Sequence, residues 1–256
     1  MKLGFIGTGK ITSSVVTGIC RSKISFNKII LSPRSKSVSQ TLKKKFKKIS
    51  IAKNNQEILN SCNWIFLAVT PTVGQKIIKN LKFRPNHTII SFISTMTLPQ
   101  LKKAIKVKAE IVRAIPLPPI SLKKGPVPIF PPNKKVKFFF DKIGKTIEIK
   151  NEKLSLNFWT MSSIMAPYYE ILNHLSSWLK KRGLSKTEAE NYITSLFLGL
   201  SINASQNKYK NLKELVKKSQ TPKGLNEQAL KKLRKLNFYQ KLNITSKNIL
   251  SRLKRK

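Results

Sequence analysis

Two short stretches of this chain carry residues at spacings that could do chemistry. The first is Gly7-Thr8-Gly9-Lys10-Ile11-Thr12, which follows an apolar run at residues 3–6. Its Gly-x-Gly-x-x-Thr spacing is a dinucleotide fingerprint except at the last position. Gly7 allows a tight turn. Gly9 lets backbone approach a pyrophosphate, because free N–H groups and the helix dipole favour an anion at a helix N-terminus. The third position wants a small residue for helix–strand packing, and Thr12 is larger. The second stretch is Ser219-Gln220-Thr221-Pro222-Lys223-Gly224-Leu225-Asn226. A flexible, charged turn of this kind just before a helix resumes is more than a link between two helices needs.

A third group lies at the end of the second expected strand, where Ser32-Pro33-Arg34-Ser35 stands. NAD-specific folds place a carboxylate there for the ribose 2′-hydroxyl. Here an arginine and two hydroxyls replace it, which suits a 2′-phosphate. The expected cofactor is NADP, with NAD left open. Other chemistries find little support. His87 and His174 are far apart, without cysteine or carboxylate spacing for zinc, so no metal site is expected. No Gly-x-Ser-x-Gly elbow is present. Ten acidic residues leave little for a metal–carboxylate mechanism.

The elements around these residues alternate. Strands are expected at residues 3–6, 28–32, near 49–51, within 63–71, at 87–94, at 110–119 and after Gly144. Helices are expected between them, among them residues 56–61 and 73–79. The run Trp64-Ile65-Phe66-Leu67-Ala68-Val69 is apolar throughout, as a strand buried on both faces should be. The implied class is α/β: a doubly wound parallel sheet over residues 1–150, with a nucleotide at its switch point. Strand signals then stop, and residues 151–256 read as an all-α domain. Pro167 should kink or break its first helix. Ser185 and Glu188 form a capping box. Residues 192–200 are apolar nearly all round and should be buried on all sides, in a subunit interface. Three shorter helices should follow, over 211–218, 226–236 and 238–253.

Composition bounds the partners. The formal net charge is +41. The lysines lie along both halves and far outnumber the arginines, which are the better fork for phosphate and base edges. Weak, salt-sensitive binding to polyanions is expected, but no dedicated nucleic-acid role. Two cysteines, Cys20 and Cys62, fit a reducing compartment. No secretory signal or membrane span is visible, so a cytoplasmic protein is expected.

The order of pieces resembles the pyrroline-5-carboxylate reductase family over almost the whole chain. The residues that carry the likeness are the fingerprint at the start, Leu67-Ala68-Val69-Thr70-Pro71, the strand at Ile89–Ser94, Val112-Arg113-Ala114-Ile115-Pro116, and a helical half ending in a Pro-x-Gly turn. The resemblance implies reduction of a cyclic imine to proline with NAD(P)H. It also implies a Rossmann domain of the kind shared with F420-dependent NADP oxidoreductases, and a helical domain that interlocks in a homodimer or larger ring.

By that resemblance Gly7, Thr8, Gly9, Lys10 and Ile11 hold the pyrophosphate. Ser32, Arg34 and Ser35 meet the adenosine ribose or its phosphate, and Asn55 is a further cofactor contact. Ala68, Val69, Thr70 and Pro71 lie beside the nicotinamide side, Thr70 standing where the family has lysine. Arg113 and Pro116 match the family's Arg-x-x-Pro. The turn at Thr221, Lys223, Gly224 and Leu225 opens a helix whose N–H groups take an anionic substrate's carboxylate, and Thr221 and Asn226 serve catalysis. Lys223 replaces a family glycine and Asn226 a threonine, and Ser162–Tyr168 replaces a glycine-rich segment. Two other readings therefore stay open: an imine or keto-acid reductase with a different substrate, and a non-catalytic nucleotide- or RNA-binding Rossmann protein.

Overall fold

The computed structural model describes residues 1–206 and 211–255. It comprises two compact units, Met1–Trp159 and Thr160–Arg255. The first is built on β1 (Lys2–Ile6), α1 (Lys10–Cys20), β2 (Lys28–Leu31), α2 (Lys36–Lys45), β3 (Ile49–Ile51), α3 (Asn55–Ser61), β4 (Trp64–Leu67), α4 (Pro71–Ile78), β5 (Thr88–Ser91), α5 (Leu98–Ile105) and β6 (Glu110–Ala114). A 3-10 turn (Pro118–Leu122), β7 (Pro126–Phe130), α6 (Lys134–Phe140) and β8 (Lys145–Glu148) complete its sheet. The strands run in the order β3-β2-β1-β4-β5-β6-β7-β8. All neighbours are parallel except β6 and β7, which pair antiparallel through Arg113↔Phe130 and Ala114↔Ile129.

This order reverses direction between β1 and β4, which is where an open parallel sheet leaves a crevice at its carboxyl edge. Helices cover both faces, so alternate residues of each strand enter two separate cores. Leu3, Phe5, Ile29, Leu31 and Phe66 belong to one, and Ile6, Ile30, Ile65, Leu67 and Ile89 to the other. Phe5 and Phe66 stack at 4.3 Å across the β1–β4 pair. Residues at the helix starts close the ends. Asn54 caps α3, Thr97 and Gln100 form a capping box on α5, and Pro71 takes the first position of α4, where its missing N–H costs nothing.

Beyond the sheet come a 3-10 turn (Glu152–Leu154) and α7 (Ser155–Ser162). The helical unit contains α8 (Met165–Lys180), α9 (Lys186–Ser205), α10 (Leu212–Lys218), α11 (Leu225–Lys235) and α12 (Phe238–Lys254). Pro167 lies in the first turn of α8, so the break falls just before it, between α7 and α8. The box of Ser185 and Glu188 opens α9 with both reciprocal bonds made.

Residues 192–200, expected to be buried in a subunit interface, are largely exposed in a single chain. Only Ala189 and Ile193 of α9 are buried. Tyr192 is 59% exposed, Leu198 62% and Leu200 56%. Among the described residues of one subunit, α9 packs chiefly against α8, which covers one face of it. Among the described residues no helix is long and apolar enough to cross a membrane, and no cluster of His, Cys, Asp and Glu could hold a metal ion.

Candidate active site

The glycine loop sits at the carboxyl end of β1. Gly7 has φ +97°, a conformation that side chains rarely adopt. A Cβ there would also collide with the Ala68 carbonyl oxygen and reach 2.7 Å from Val69 Cγ1. Glycine is thus required twice, for the turn and for the approach of β1 to the end of β4. The loop is tied down on both sides. Thr8 Oγ1 donates to the Ser32 carbonyl at 2.9 Å, and Thr12 Oγ1 to the Gly7 carbonyl at 2.6 Å. Both threonines are buried.

Thr12 is therefore no defect in the fingerprint. Its hydroxyl satisfies a buried carbonyl that a small apolar residue would leave without that donor. Gly9 behaves differently. It is exposed, and a Cβ on it would meet nothing within 4 Å. It starts α1, and as a glycine it offers the N–H groups of the first turn no side-chain cap. Lys10 is exposed beside it, and Ile11 packs on the sheet core.

The end of β2 lies one strand away. Ser32 is buried, donating its N–H to the Phe5 carbonyl and accepting from Thr8, so its backbone acts as a joint of the loop. Arg34 is exposed and Ser35 half-buried. Ser35 starts α2 but makes no side-chain capping bond, and the first turn carries Lys36 and no acid. A helix N-terminus favours negative charge, and here it is given two cations instead. That arrangement gains stability only when an anion joins it. Lys36, which the sequence reading did not single out, follows Ser35 at once as the first residue of α2.

Asn55 occupies the first position of α3, while Asn54 does the capping. Asn55 Oδ1 is buried and has no hydrogen-bond partner. A buried acceptor without a donor costs roughly 1–3 kcal/mol, so a ligand hydroxyl there would offset a real penalty. Ala68 and Val69 lie against Gly7 at the end of β4. Thr70 is exposed and starts α4 without a side-chain cap, leaving its hydroxyl uncommitted to the helix, and Pro71 follows. The structure thus brings Gly7, Thr8, Ser32, Ala68 and Val69 together, flanked by Gly9, Lys10 and Ile11. Asn55 and Arg34 follow the next two carboxyl ends.

The turn from Thr221 to Asn226 belongs to the helical unit. Lys223 has φ +60°, so the left-handed position of the turn is held by a lysine. Gly224 has φ −75° and starts α11. Its N–H donates to the Thr221 carbonyl at 2.8 Å, and a Cβ on it would lie 2.9 Å from that same oxygen. Glycine at 224 is thus needed by the turn itself. Leu225 is exposed. The Lys223 N–H is taken by Glu227 at 2.7 Å, and Glu227 also pairs with Lys231. The bond to Lys231, followed by that to Lys223, holds the Glu227 carboxyl below the usual range. Asn226 Nδ2 donates to the Ser219 carbonyl at 2.9 Å. Its amide orientation is thereby fixed, and Oδ1 is the end left for a ligand.

Residues 2–95 match the sequence profile described as NADP oxidoreductase coenzyme F420-dependent, and residues 153–255 match that of pyrroline-5-carboxylate reductase dimerisation. Pyrroline-5-carboxylate reductase 3 of Danio rerio is 29% identical over 128 residues, 49% of this chain and 44% of that protein. The Xenopus laevis protein of the same name is 23% identical over 134 residues, 50% of this chain and 47% of its own. The matched stretch thus spans under half the length of these relatives. Among solved structures, 1-pyrroline-5-carboxylate reductase from Streptococcus pyogenes superposes with a TM-score of 0.84 at 21% identity, covering 100% of this chain and 99% of that one. The Plasmodium falciparum pyrroline carboxylate reductase, solved with NADP bound, gives 0.85 at 22% identity, covering 100% and 97%. The chain thus carries in order a stretch matching the NADP oxidoreductase profile and one matching the pyrroline-5-carboxylate reductase dimerisation profile, and it shares its fold along its whole length with these solved reductases.

Proposed function

We propose that the protein is an NADPH-dependent reductase of a cyclic imine acid, 1-pyrroline-5-carboxylate being the substrate and L-proline the product, working as a homodimer or larger ring. The observation that carries the cofactor reading is the open space over Gly9, beside a β2 end that bears Arg34 and Lys36 and no carboxylate. Gly7, Thr8, Gly9, Lys10 and Ile11 would cradle the pyrophosphate. Arg34, Lys36 and Ser35 would take the 2′-phosphate, and Asn55 Oδ1 a ribose hydroxyl. Ala68, Val69, Thr70 and Pro71 would border the nicotinamide. When bound, the dinucleotide supplies a hydride from its C4.

The chain's own contribution is orientation and charge. The first turn of α11 presents N–H groups of Leu225 and Asn226 to a carboxylate. Lys223 adds a cation to that approach, and Thr221 supplies the carbonyl that fixes Gly224. The reacting carbon of a protonated imine accepts a hydride more readily than that of a neutral one, and the protonated imine carries an N–H. Asn226 Oδ1 is an acceptor only, so it suits that N–H. A ketone oxygen offers no donor and would face the same lone pairs. This favours an imine over a keto acid, the main competing reading.

The comparison to make is between Asn226→Thr, Asn226→Ala and native protein, each with 1-pyrroline-5-carboxylate and with a panel of cyclic imines and keto acids. The native protein should reduce imines and not keto acids. Asn226→Ala should lose roughly 1–3 kcal/mol of transition-state stabilisation in kcat/KM. A native preference for keto acids, or an Asn226→Ala protein with native kinetics, would contradict the assignment.

A further inference from the structure

We propose that Arg113 and Glu152 form a positioning clamp that sets the nicotinamide side of the site, resting on the functional reading above. Arg113 is at the carboxyl end of β6 and is 6% exposed; Glu152 stands at the head of the 3-10 turn that leads into α7. Arg113 Nη1 donates to Glu152 Oε1 at 2.7 Å, and Nη2 donates to the Ser94 carbonyl at 2.8 Å. The same Glu152 Oε1 accepts the Leu98 N–H at 2.6 Å. One ion pair thereby holds both ends of the loop from Ser94 to Leu98, which joins β5 to α5.

That loop reaches the cofactor cradle through side chains. Met96 and Ile93 are buried against Gly74 of α4: a Cβ on Gly74 would lie 2.7 Å from Ile93 Cδ1, 3.4 Å from Met96 Sδ and 3.5 Å from Val69 Cγ2. Val69 in turn closes on Gly7. The path runs from Glu152 to Leu98, through Met96 and Gly74, to Val69 and the glycine loop. The step from Leu98 to Met96 runs along the loop backbone, and the others are packed contacts or a hydrogen bond within one compact unit.

The chemistry of the pair explains why it serves position more than stability. A buried pair costs desolvation that its own attraction only partly returns, and Arg113 leaves Nε buried without a partner. A planar fork can grip a carboxylate and a carbonyl at once, which a lysine cannot do from one nitrogen at the same angles. With ten acidic residues in 256, a carboxylate at this junction is set apart from the lysine-rich stretch around it.

Three variants of the full-length protein test this: Glu152→Ala, Glu152→Gln and Arg113→Lys. For each, kcat, the KM of both substrates and the dissociation constant of NADPH are measured well below the melting midpoint. Hydrogen exchange at residues 95–98 is followed in parallel. Glu152→Ala should lower kcat by about tenfold or more, since small misplacement of a reacting group is that costly, while NADPH affinity changes by less than about threefold. Glu152→Gln keeps an acceptor for Leu98 and should recover part of the loss. Exchange at residues 95–98 should rise in Glu152→Ala while that of α1 stays the same. A Glu152→Ala protein with native kcat and only a lowered melting midpoint would overturn the clamp, as would unchanged exchange at residues 95–98. If the native protein turns over no imine, the functional reading fails on its own, and the exchange result still decides whether the clamp holds the loop.

Discussion

Thr12 donates its hydroxyl to the carbonyl of Gly7 across the first turn of α1, at 2.6 Å. The bond locks the residue that makes the turn to the helix that follows it. Thr12→Val keeps the shape and removes the donor. It should destabilise the protein by about 1–3 kcal/mol, the cost of a buried carbonyl left without its partner, and weaken NADPH binding. Thermal unfolding and a cofactor titration check both. A Thr12→Val protein with native stability would show that the bond contributes nothing.

Cofactor preference should depend on Arg34 and Lys36 together. No acidic residue precedes Glu57 in the chain, so none is a close neighbour of theirs in sequence. Each charge-assisted contact with a 2′-phosphate is worth roughly 1.5–3 kcal/mol. Arg34→Ala should weaken NADPH by about ten- to a hundredfold and leave NADH unchanged, and adding Lys36→Ala should remove most of the remaining preference. Dissociation constants of both dinucleotides for native, single and double variants give the answer. A preference that survives the double substitution would place the 2′-phosphate elsewhere.

The sheet was legible because each of its signals is local. The β4 run is apolar on both faces, and Gly7 and Gly9 follow β1 at once. What stayed hidden depends on contacts far apart in sequence. Thr12 looks oversized until the Gly7 carbonyl is seen above it, and Glu152 looks like one more surface charge until Arg113 and Leu98 meet it. At the turn near α11 the left-handed residue is Lys223, immediately before Gly224. Spacing alone cannot say which of two adjacent residues carries the positive φ.

Association should run through α9. Tyr192, Leu196, Leu198, Leu200 and Ile202 all stand exposed along α9 in a single chain. Leu198→Lys places a charge where a second subunit would have to desolvate it, a cost of several kcal/mol. Sedimentation should show a native dimer or larger assembly and a Leu198→Lys protein that dissociates or aggregates. A native protein that is monomeric at micromolar concentration would contradict this.

His87 makes stability depend on pH. Burial pushes its pKa below 6.5, and the neighbouring Arg84 adds to the shift against the opposing bond to the Leu59 carbonyl. The unfolded chain therefore binds the proton more readily than the folded one, and stability rises with pH through this window. Full stability should be present above about pH 6.5 and be lost as pH falls below it, before most carboxylates titrate. Melting midpoints between about pH 5 and pH 7.5 for native and His87→Gln protein test the sign. A native midpoint that is flat across this range would contradict the buried, neutral imidazole.

The most direct test of the central claim is NADPH oxidation by the native protein with 1-pyrroline-5-carboxylate, with L-proline measured as product and Gly224→Val run beside it. The Val side chain clashes with the Thr221 carbonyl and should distort the turn that opens α11. The native protein should form one proline for each NADPH consumed, and Gly224→Val should lose turnover with NADPH affinity nearly unchanged. NADPH that binds without oxidation in the presence of this substrate and of related cyclic imines, or turnover that survives in Gly224→Val, would contradict it.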